Sequence, residues 1–485
     1  MSISSSLSNA LSGLSAASRA ADVVSSNVAN ALTEGYGRRS LDLSARTLAG
    51  TGSGVTLNGV RRNVDAAVLS DRRMADATLA GATTAAGFFQ RIEAVIGTPD
   101  DAGSLSGRIA GLEQSLITAA SRPDSETRLA GVLRAASGLA GQIKAISGEL
   151  QSVRRDADTQ IATDVASVND ALQRIEGLNR DIRLQKAAGN DANALMDLRQ
   201  QQVDRITPII PLREVPRDNG QIALFTPGGA VLFDGKAAML GFSPVGVITP
   251  DMSQVSGALS GLTINGRPVA TGGEYSPVNG GSLAAQFAIR DELAVSAQTE
   301  LDAVARDLID RFASPAADAT LAPGTAGLFT DAGVAFHPLN EVGLSGRITI
   351  NTAADPGRGG ALWRLRDGLG AATPGDVGNA AGLQDLVAAL TASRQPGSGS
   401  FGGALRSASG LAGDFLSSVG ADRQAAEADE SFAAARYDTL RTLELSGGVD
   451  TDLEMQQLLL VEQAFSANAR VIQTVDDMIQ TLLRI

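Results

Sequence analysis

Apolar residues recur at alternating steps of three and four at both ends of this chain. Near the start they fall on Leu7, Ala10, Leu14, Ala17, Ala21, Val24, Val28 and Ala31. Near the end they fall on Leu458, Val461, Phe465, Ile472, Val475, Ile479 and Leu482, with Asn468 holding one place in the series. That spacing keeps one face of a helix apolar and is the seam of a coiled coil. Each end is therefore read as an amphipathic helix, residues 1–33 pairing with residues 449–485. So narrow a stripe does not offset the entropy of ordering a lone helix, and both ends are expected to take shape only by docking. Asn468, polar within the seam, would favour one register over others.

The same spacing returns inside the chain, most regularly from Leu129 to Ile182. Leu129, Val132, Ala136, Leu139, Ile143, Ile146, Leu150 and Val153 alternate three and four, and Ala157, Ile161 and Val165 then step by four. Val168, Leu172, Ile175, Asn179 and Ile182 resume the alternation. Repeated steps of four are a stutter, which unwinds a supercoil without ending the helix. The segment predicts a rod about 80 Å long. Gly131, Gly138, Gly141 and Gly148, each costing roughly 1 kcal/mol against Ala, are the places where it would break.

Shorter helical patterns run from about Asn63 to Ile96, Ser104 to Ala120, Ala192 to Ile206, Ser282 to Ala313 and Ala404 to Leu445. Pro99, Pro123 and Gly189-Asn190-Asp191 mark breaks between them. Between residues 206 and 281 the period changes to two. Short strands are predicted at Ile209 to Val215, Gln221 to Phe225, Ala230 to Phe233 and Leu262 to Ile264, separated by turn sequences such as Asp218-Asn219-Gly220 and Asn265-Gly266. Ser40 to Leu48 and Gly54 to Val60 read as an extended arm or hairpin. Ser446-Gly447-Gly448 is a hinge into the last helix, where Asp450 or Thr451 serves as N-cap and Glu454 is expected to complete a capping box with Thr451.

The fold class is thus mainly α with inserted β. Terminal coiled-coil-like helices (1–33 and 449–485) flank an elongated helical body in three parts (34–205, 282–313 and 404–448). A small β domain occupies 206–281, and a second insertion, irregular or partly β, occupies 314–403.

Composition narrows the function classes. A chain of 485 residues exceeds one core, and with aromatics at 4% its cores must be built from Ala, Leu, Val and Ile. A net charge of -13 argues against nucleic acid as partner, because phosphate binding requires clustered Lys and Arg. The absence of cysteine removes disulfides, thiolate catalysis and Cys-type zinc sites. The first residues lack the basic, apolar and cleavage regions of a signal peptide. No run approaches ~18 apolar residues, so no membrane span is expected.

Candidate chemistry is sparse. His337 is the single histidine, so no metal pair or Ser-His-Asp triad assembles without it, and its neighbours Phe336 and Pro338 place it in a loop. Gly397-Ser398-Gly399-Ser400-Phe401-Gly402 fits the dinucleotide fingerprint but lacks the preceding strand that the motif requires. Neither catalytic residues, nor a cofactor, nor a metal site is expected.

The first helix ends in Ser26-Asn27-Val28-Ala29-Asn30, followed by Thr33-Glu34-Gly35-Tyr36. This resembles the N-terminal signature of the axial proteins of the bacterial flagellum, and the last forty residues, centred on Gln463-Ala464-Phe465-Ser466-Ala467-Asn468-Ala469-Arg470, resemble their C-terminal helix. Gly54 to Val60 leading into a long helix, Asp191 to Ile206 and Ala284 to Phe312 are similar to the hook-associated group of that family. The resemblance implies a chain exported through the flagellar type III apparatus and set on the hook tip as a closed ring of about eleven copies. It would act as a mechanical adapter between the hook protein and the second hook-associated junction protein, with a cytoplasmic chaperone holding its C-terminal helix before export. Its terminal helices would line the axial tube and its β domain would face outward. The assembly interface is expected on Leu7, Leu14, Ala21, Val28, Asn30, Tyr36, Leu458, Val461, Phe465, Asn468, Ile472, Val475, Ile479 and Leu482. Two alternatives are a hook or rod subunit, which resembles a mostly β structure between its ends, and a peptidoglycan-remodelling enzyme on an axial scaffold.

Overall fold

The computed structural model describes residues 3–48, 51–273 and 275–484. Met1, Ser2 and Ile485, which the sequence reading placed in the terminal helices, lie outside the described residues. Helix α1 (Ile3–Ala29) leads into a long antiparallel hairpin, β1 (Arg38–Leu48) and β2 (Thr51–Asn63). Next come α2 (Ala66–Ile96), α3 (Leu105–Ala120), α4 (Glu126–Ala187) and α5 (Asn193–Ile206).

Helix α4 is the spine. It runs unbroken for 62 residues, about 93 Å at the helical rise. The whole seam series from Leu129 to Ile182 is buried, through the stutter and beyond it. The glycines do not interrupt it. Gly131, Gly141 and Gly148 face open space, so each lowers local helix stability without leaving a packing defect, and burial of the seam outweighs that cost.

Two apolar cores meet on this spine. From Leu129 to Ala157 it packs with α2, α3 and the later helices of the body. From Ile161 to Ile175 it supports α5 and the β domain. The domain holds two small antiparallel sheets, β3 (Arg213–Pro216) to β6 (Lys236–Ala237) by way of β4 (Ile222–Phe225) and β5 (Val231–Asp234), and β7 (Leu240–Gly241) with β8 (Leu262–Ile264) and β9 (Arg267–Val269). The predicted strand from Ile209 shortens to residues 213–216. Pro208 and Pro211 have no N–H for a ladder, and the N–H groups of Ile209 and Ile210 both turn back to the Ile206 carbonyl.

Helix α6 (Gly281–Ala288) and helix α7 (Ala294–Phe312) are joined by one π-helical turn over Ile289–Leu293. That turn aims Arg290 into the junction between the two cores, beside the stutter. Arg290 Nη1 donates to Asp158 Oδ1 at 2.7 Å, and both side chains are fully buried. The neighbouring Arg154 donates to the carbonyls of Arg290, Thr249 and Met252, so cations and acceptors are matched. Asp158→Ala takes the carboxylate from the buried Arg290 Nη1 and leaves Asp291, paired with Nε and Nη2, as its remaining counter-charge. A loss of about 1–3 kcal/mol is expected, read as a lower urea midpoint.

The chain then passes through β10 (Phe329–Asp331), α8 (Leu344–Arg347), β11 (Ile348–Ile350), α9 (Arg364–Asp367) and α10 (Ala381–Thr391). β10 and β11 form a two-stranded ladder, and Leu383, Leu386 and Leu390 of α10 seat this segment in the body's core. His337 lies in a loop, where its Nδ1 accepts from the Leu339 N–H. The Gly397 to Gly402 stretch is loop between α10 and α11 (Ala408–Ser446), with no strand before it. α11 lies along α2, and α12 (Thr451–Leu483) returns to α1. Among the described residues, no helix is long and apolar enough to cross a membrane and no acidic or histidine group is placed to hold a metal.

Candidate functional site: the paired terminal helices

Two contacts set the geometry of the terminal pair. Asn27 of α1 meets Glu454 of α12, and Gly13 faces the amide of Asn468. Equal steps of fourteen residues separate the two contacts on each helix, so the helices run antiparallel in constant register. Small residues line the α1 side. A Cβ on Gly13 would come within 2.7 Å of Asn468 Oδ1, so the glycine is what lets the polar seam residue fit. Asn468 Nδ2 is satisfied by the Ala464 carbonyl one turn back.

The residues expected at the interface divide by depth. Val475 is buried; Leu14, Ala21, Val28, Leu458, Val461, Asn468, Ile472 and Ile479 are half-buried along the seam. Leu7, Phe465 and Leu482 remain exposed within this chain. Phe465 stands at the edge of a cleft of about 580 Å³ between α1 and the hairpin, with Leu14, Leu41 and Leu57 among its walls. A second set escaped the sequence reading. Leu453, Leu460, Val471 and Met478 are all exposed and recur at steps of seven and eleven, which place them on one helix face beside the seam. The pair thus consumes one apolar stripe and leaves another open.

At the root of the pair is a polar clamp. Asn27 is buried with its amide fully used: Nδ2 donates to the Arg39 carbonyl at 2.8 Å and to Glu454 Oε2 at 3.1 Å, while Oδ1 accepts from Tyr36 Oη and the Arg39 N–H, each at 2.9 Å. Glu454 is wholly buried, and its other oxygen takes Arg38 Nε at 2.7 Å. This corrects the capping-box expectation. Asp450 alone caps α12, accepting from the Asp452 and Leu453 N–H groups, which puts Glu454 beyond box position and frees it to cross to α1 and β1. Tyr36 also carries the Arg39 guanidinium over its ring at 4.9 Å. Asn30 acts locally, its Nδ2 returning to the Ser26 carbonyl.

The clamp continues into the body through α5. Asp197 accepts from the Gly37 N–H, from Arg39 Nη2 at 3.2 Å and from Arg62 Nε at 2.6 Å. Gln201 Nε2 donates to the Glu34 carbonyl, and Gly35, at φ +76°, lies against the Gln201 side chain. A residue with a Cβ would be strained there. Asn27, Glu454, Asp197 and Arg62 are the functional residues that the seam pattern missed. The one signal available for them was the density of Asn, Gly and Arg between residues 26 and 39.

A second latch anchors the end of α11 just before the hinge. Arg72 donates to Asp204 and Glu444, each at 2.9 Å, and Arg73 to Asp204 at 2.6 Å and Glu214 at 2.8 Å. Burial alone would lower the Arg72 guanidinium, but the carboxylates of Asp204 and Glu444 outweigh it and hold its pKa above the ordinary value. Burial pushes the Asp76 carboxyl up, against the opposing pull of Arg72. The site therefore fixes direction and register of terminal helices. It presents apolar surface.

Comparison with known proteins finds matches at both ends. Residues 7–36 match the family described as flagella basal body rod protein, and residues 443–485 match the flagellar basal body rod FlgEFG protein C-terminal family. Between them, residues 89–328 match the flagellar hook-associated protein FlgK helical domain. The chain is similar, over about half of its length, to proteins named flagellar hook-associated protein 1. Proteins of that name from Salmonella typhimurium, Escherichia coli and Bacillus subtilis are 30%, 27% and 26% identical to it over 243, 243 and 237 residues. Those stretches are 49%, 49% and 46% of this chain, and the chain spans less than half of each relative's length, 44%, 44% and 46%. The solved flagellar hook junction protein FlgK from Burkholderia pseudomallei is similar at 21% identity and a TM-score of 0.43, over 54% of this chain and 47% of that one.

Proposed function

We propose that this chain is a structural adapter joining the flagellar hook to the filament. The observation that carries the reading is the terminal pair, which is ordered by a buried clamp yet leaves the stripe of Leu453, Leu460, Val471 and Met478 uncovered. Contiguous exposed apolar surface of this kind serves association. Its occupants are, on this reading, neighbouring copies in a closed ring of about eleven, the hook protein on one side and the second hook-associated junction protein on the other. The interface comprises the seam residues together with Asn30 and Tyr36, and the chain is divided as the sequence suggests, with insertions at 206–281 and 314–403 on a helical body.

The protein acts in the extracellular flagellum. Before export it is transiently cytoplasmic, with a chaperone on the apolar faces of α12. We read it as non-catalytic, its relatives being named flagellar hook-associated protein 1; murein hydrolysis by the purified chain would overturn that. Helix α4 disfavours the hook or rod alternative, because its 62 residues form the core of the middle of the chain. The decisive experiment is electron microscopy of a deletion strain. Hooks without filaments, with flagellin released to the medium and rescue by the intact gene, are expected; normal filaments on the deletion strain would overturn the reading.

A further inference from the structure

On the other side of the hairpin root, strand β2, helix α5 and strand β3 enclose an open-sided cleft of about 570 Å³. Its charge runs against the rest of the molecule. The chain carries -13 net, yet the cleft is lined by Arg61, Arg62, Arg73, Lys186 and Arg199 against only Asp42 and Glu214. The internal pairs do not balance it. Arg62 is taken up by Asp197 and Arg73 by Asp204 and Glu214, but Arg73, almost wholly buried, keeps Nη2 without a partner. Arg199 is also buried; its Nη1 donates to Asn179 Oδ1 and the Gly220 carbonyl, both neutral. Among the described residues, Arg61, Lys186 and Arg199 form no ion pair. Burial brings the Arg199 pKa down to about 10; the Glu214 carboxylate opposes the fall, and the weaker fields of Arg62 and Arg73 add to it.

Glu214, already paired with Arg73, is shared among these cations, and a buried guanidinium without its own ion-pair partner is costly, while its fork suits two oxygens of one group. We propose that this cleft binds an oxyanion, a carboxylate or phosphate, held between Arg61 of the hairpin and Lys186 and Arg199 of the body. Arg61 lies on the hairpin strand β2 and Lys186 at the end of the spine α4. An anion between them ties the hairpin, and the terminal helices lying on it, to the end of the spine. The oxyanion is either free in solution or the carboxylate of an Asp or Glu on a second copy of this acidic chain.

The test uses the full chain, with inorganic phosphate and citrate compared to chloride at matched ionic strength. A free oxyanion gives a melting temperature that rises and saturates with phosphate or citrate but not with chloride. Arg61→Glu with Lys186→Glu, both at exposed positions, should raise the half-saturating concentration about tenfold or more without changing the melting temperature in chloride. If a second copy supplies the carboxylate, sedimentation shows self-association in chloride that phosphate reverses and the double variant lacks. A linear, unsaturable rise is general salt exclusion from the surface. That result without self-association, or a double variant that behaves as the parent does, overturns the proposal.

Discussion

Asn27→Ala is expected to free the C-terminal helix from the first while leaving the body folded. The substitution strands the Arg39 N–H, the Arg39 carbonyl and one Glu454 oxygen in a site that water does not reach easily, and leaves the Tyr36 hydroxyl with Ser26 Oγ alone. Each unmet buried group costs about 1–3 kcal/mol, and partial repair by Arg38 and solvent leaves a local loss on the order of 3–5 kcal/mol. Asn27→Asp should be as harmful, because it removes the donor and sets a second carboxylate beside Glu454. Asn30→Ala is the control. Its amide closes only its own helix end, so a loss of about 1 kcal/mol is expected. Hydrogen exchange over residues 451–483 reads the difference: fast exchange in the Asn27 variants, near-parental protection in Asn30→Ala, and protection unchanged in the body. Equal protection in all of them would refute the clamp.

The second large effect separates folding from assembly. Val475 is the buried residue of the α12 seam, and Val475→Asp puts an unpaired carboxylate between α1 and α12. A loss of about 3 kcal/mol or more in the pair is expected, visible as reduced helicity and early melting of the monomer. Phe465→Asp should behave otherwise. Phe465 is 43% exposed, so the monomer's helicity and melting should hold while incorporation at the filament base fails. Ile472→Asp, half-buried, should damage both, and Glu462→Ala, on the open face, neither. Circular dichroism of purified variants, paired with filament counts in complemented cells, distinguishes the four. Indistinguishable behaviour would remove the seam from the account.

Local period carried the sequence reading a long way. The spine from Leu129 to Ile182 was legible because every turn repeats the same test: an apolar residue at the right angle or not. Burial of the whole series shows that helix and core follow from one pattern. The terminal seam was legible for the same reason, and the stutter at Ala157 to Val165 marks the place where one core ends and the other begins. The failures are of another kind. Glu454 stands three residues after Thr451 and so imitates a capping box, but the carboxylate is claimed by Asn27 and Arg38, more than four hundred positions away in the chain. Ile209 has strand character, yet prolines on both sides deny it a ladder.

The sequence by itself determined the long helices and which face of each is apolar, since these depend on residues three to four apart. Only the tertiary structure decided where the polar groups go: Asn27 to Glu454, Asp197 to Arg39 and Arg62, Arg290 by way of a π turn to Asp158. Burial makes such pairings obligatory, because an unmet charge or amide is expensive away from water. Apolar contacts tolerate many neighbours, so a spacing rule predicts them. A buried hydrogen bond accepts one partner at one angle, and no spacing rule names it.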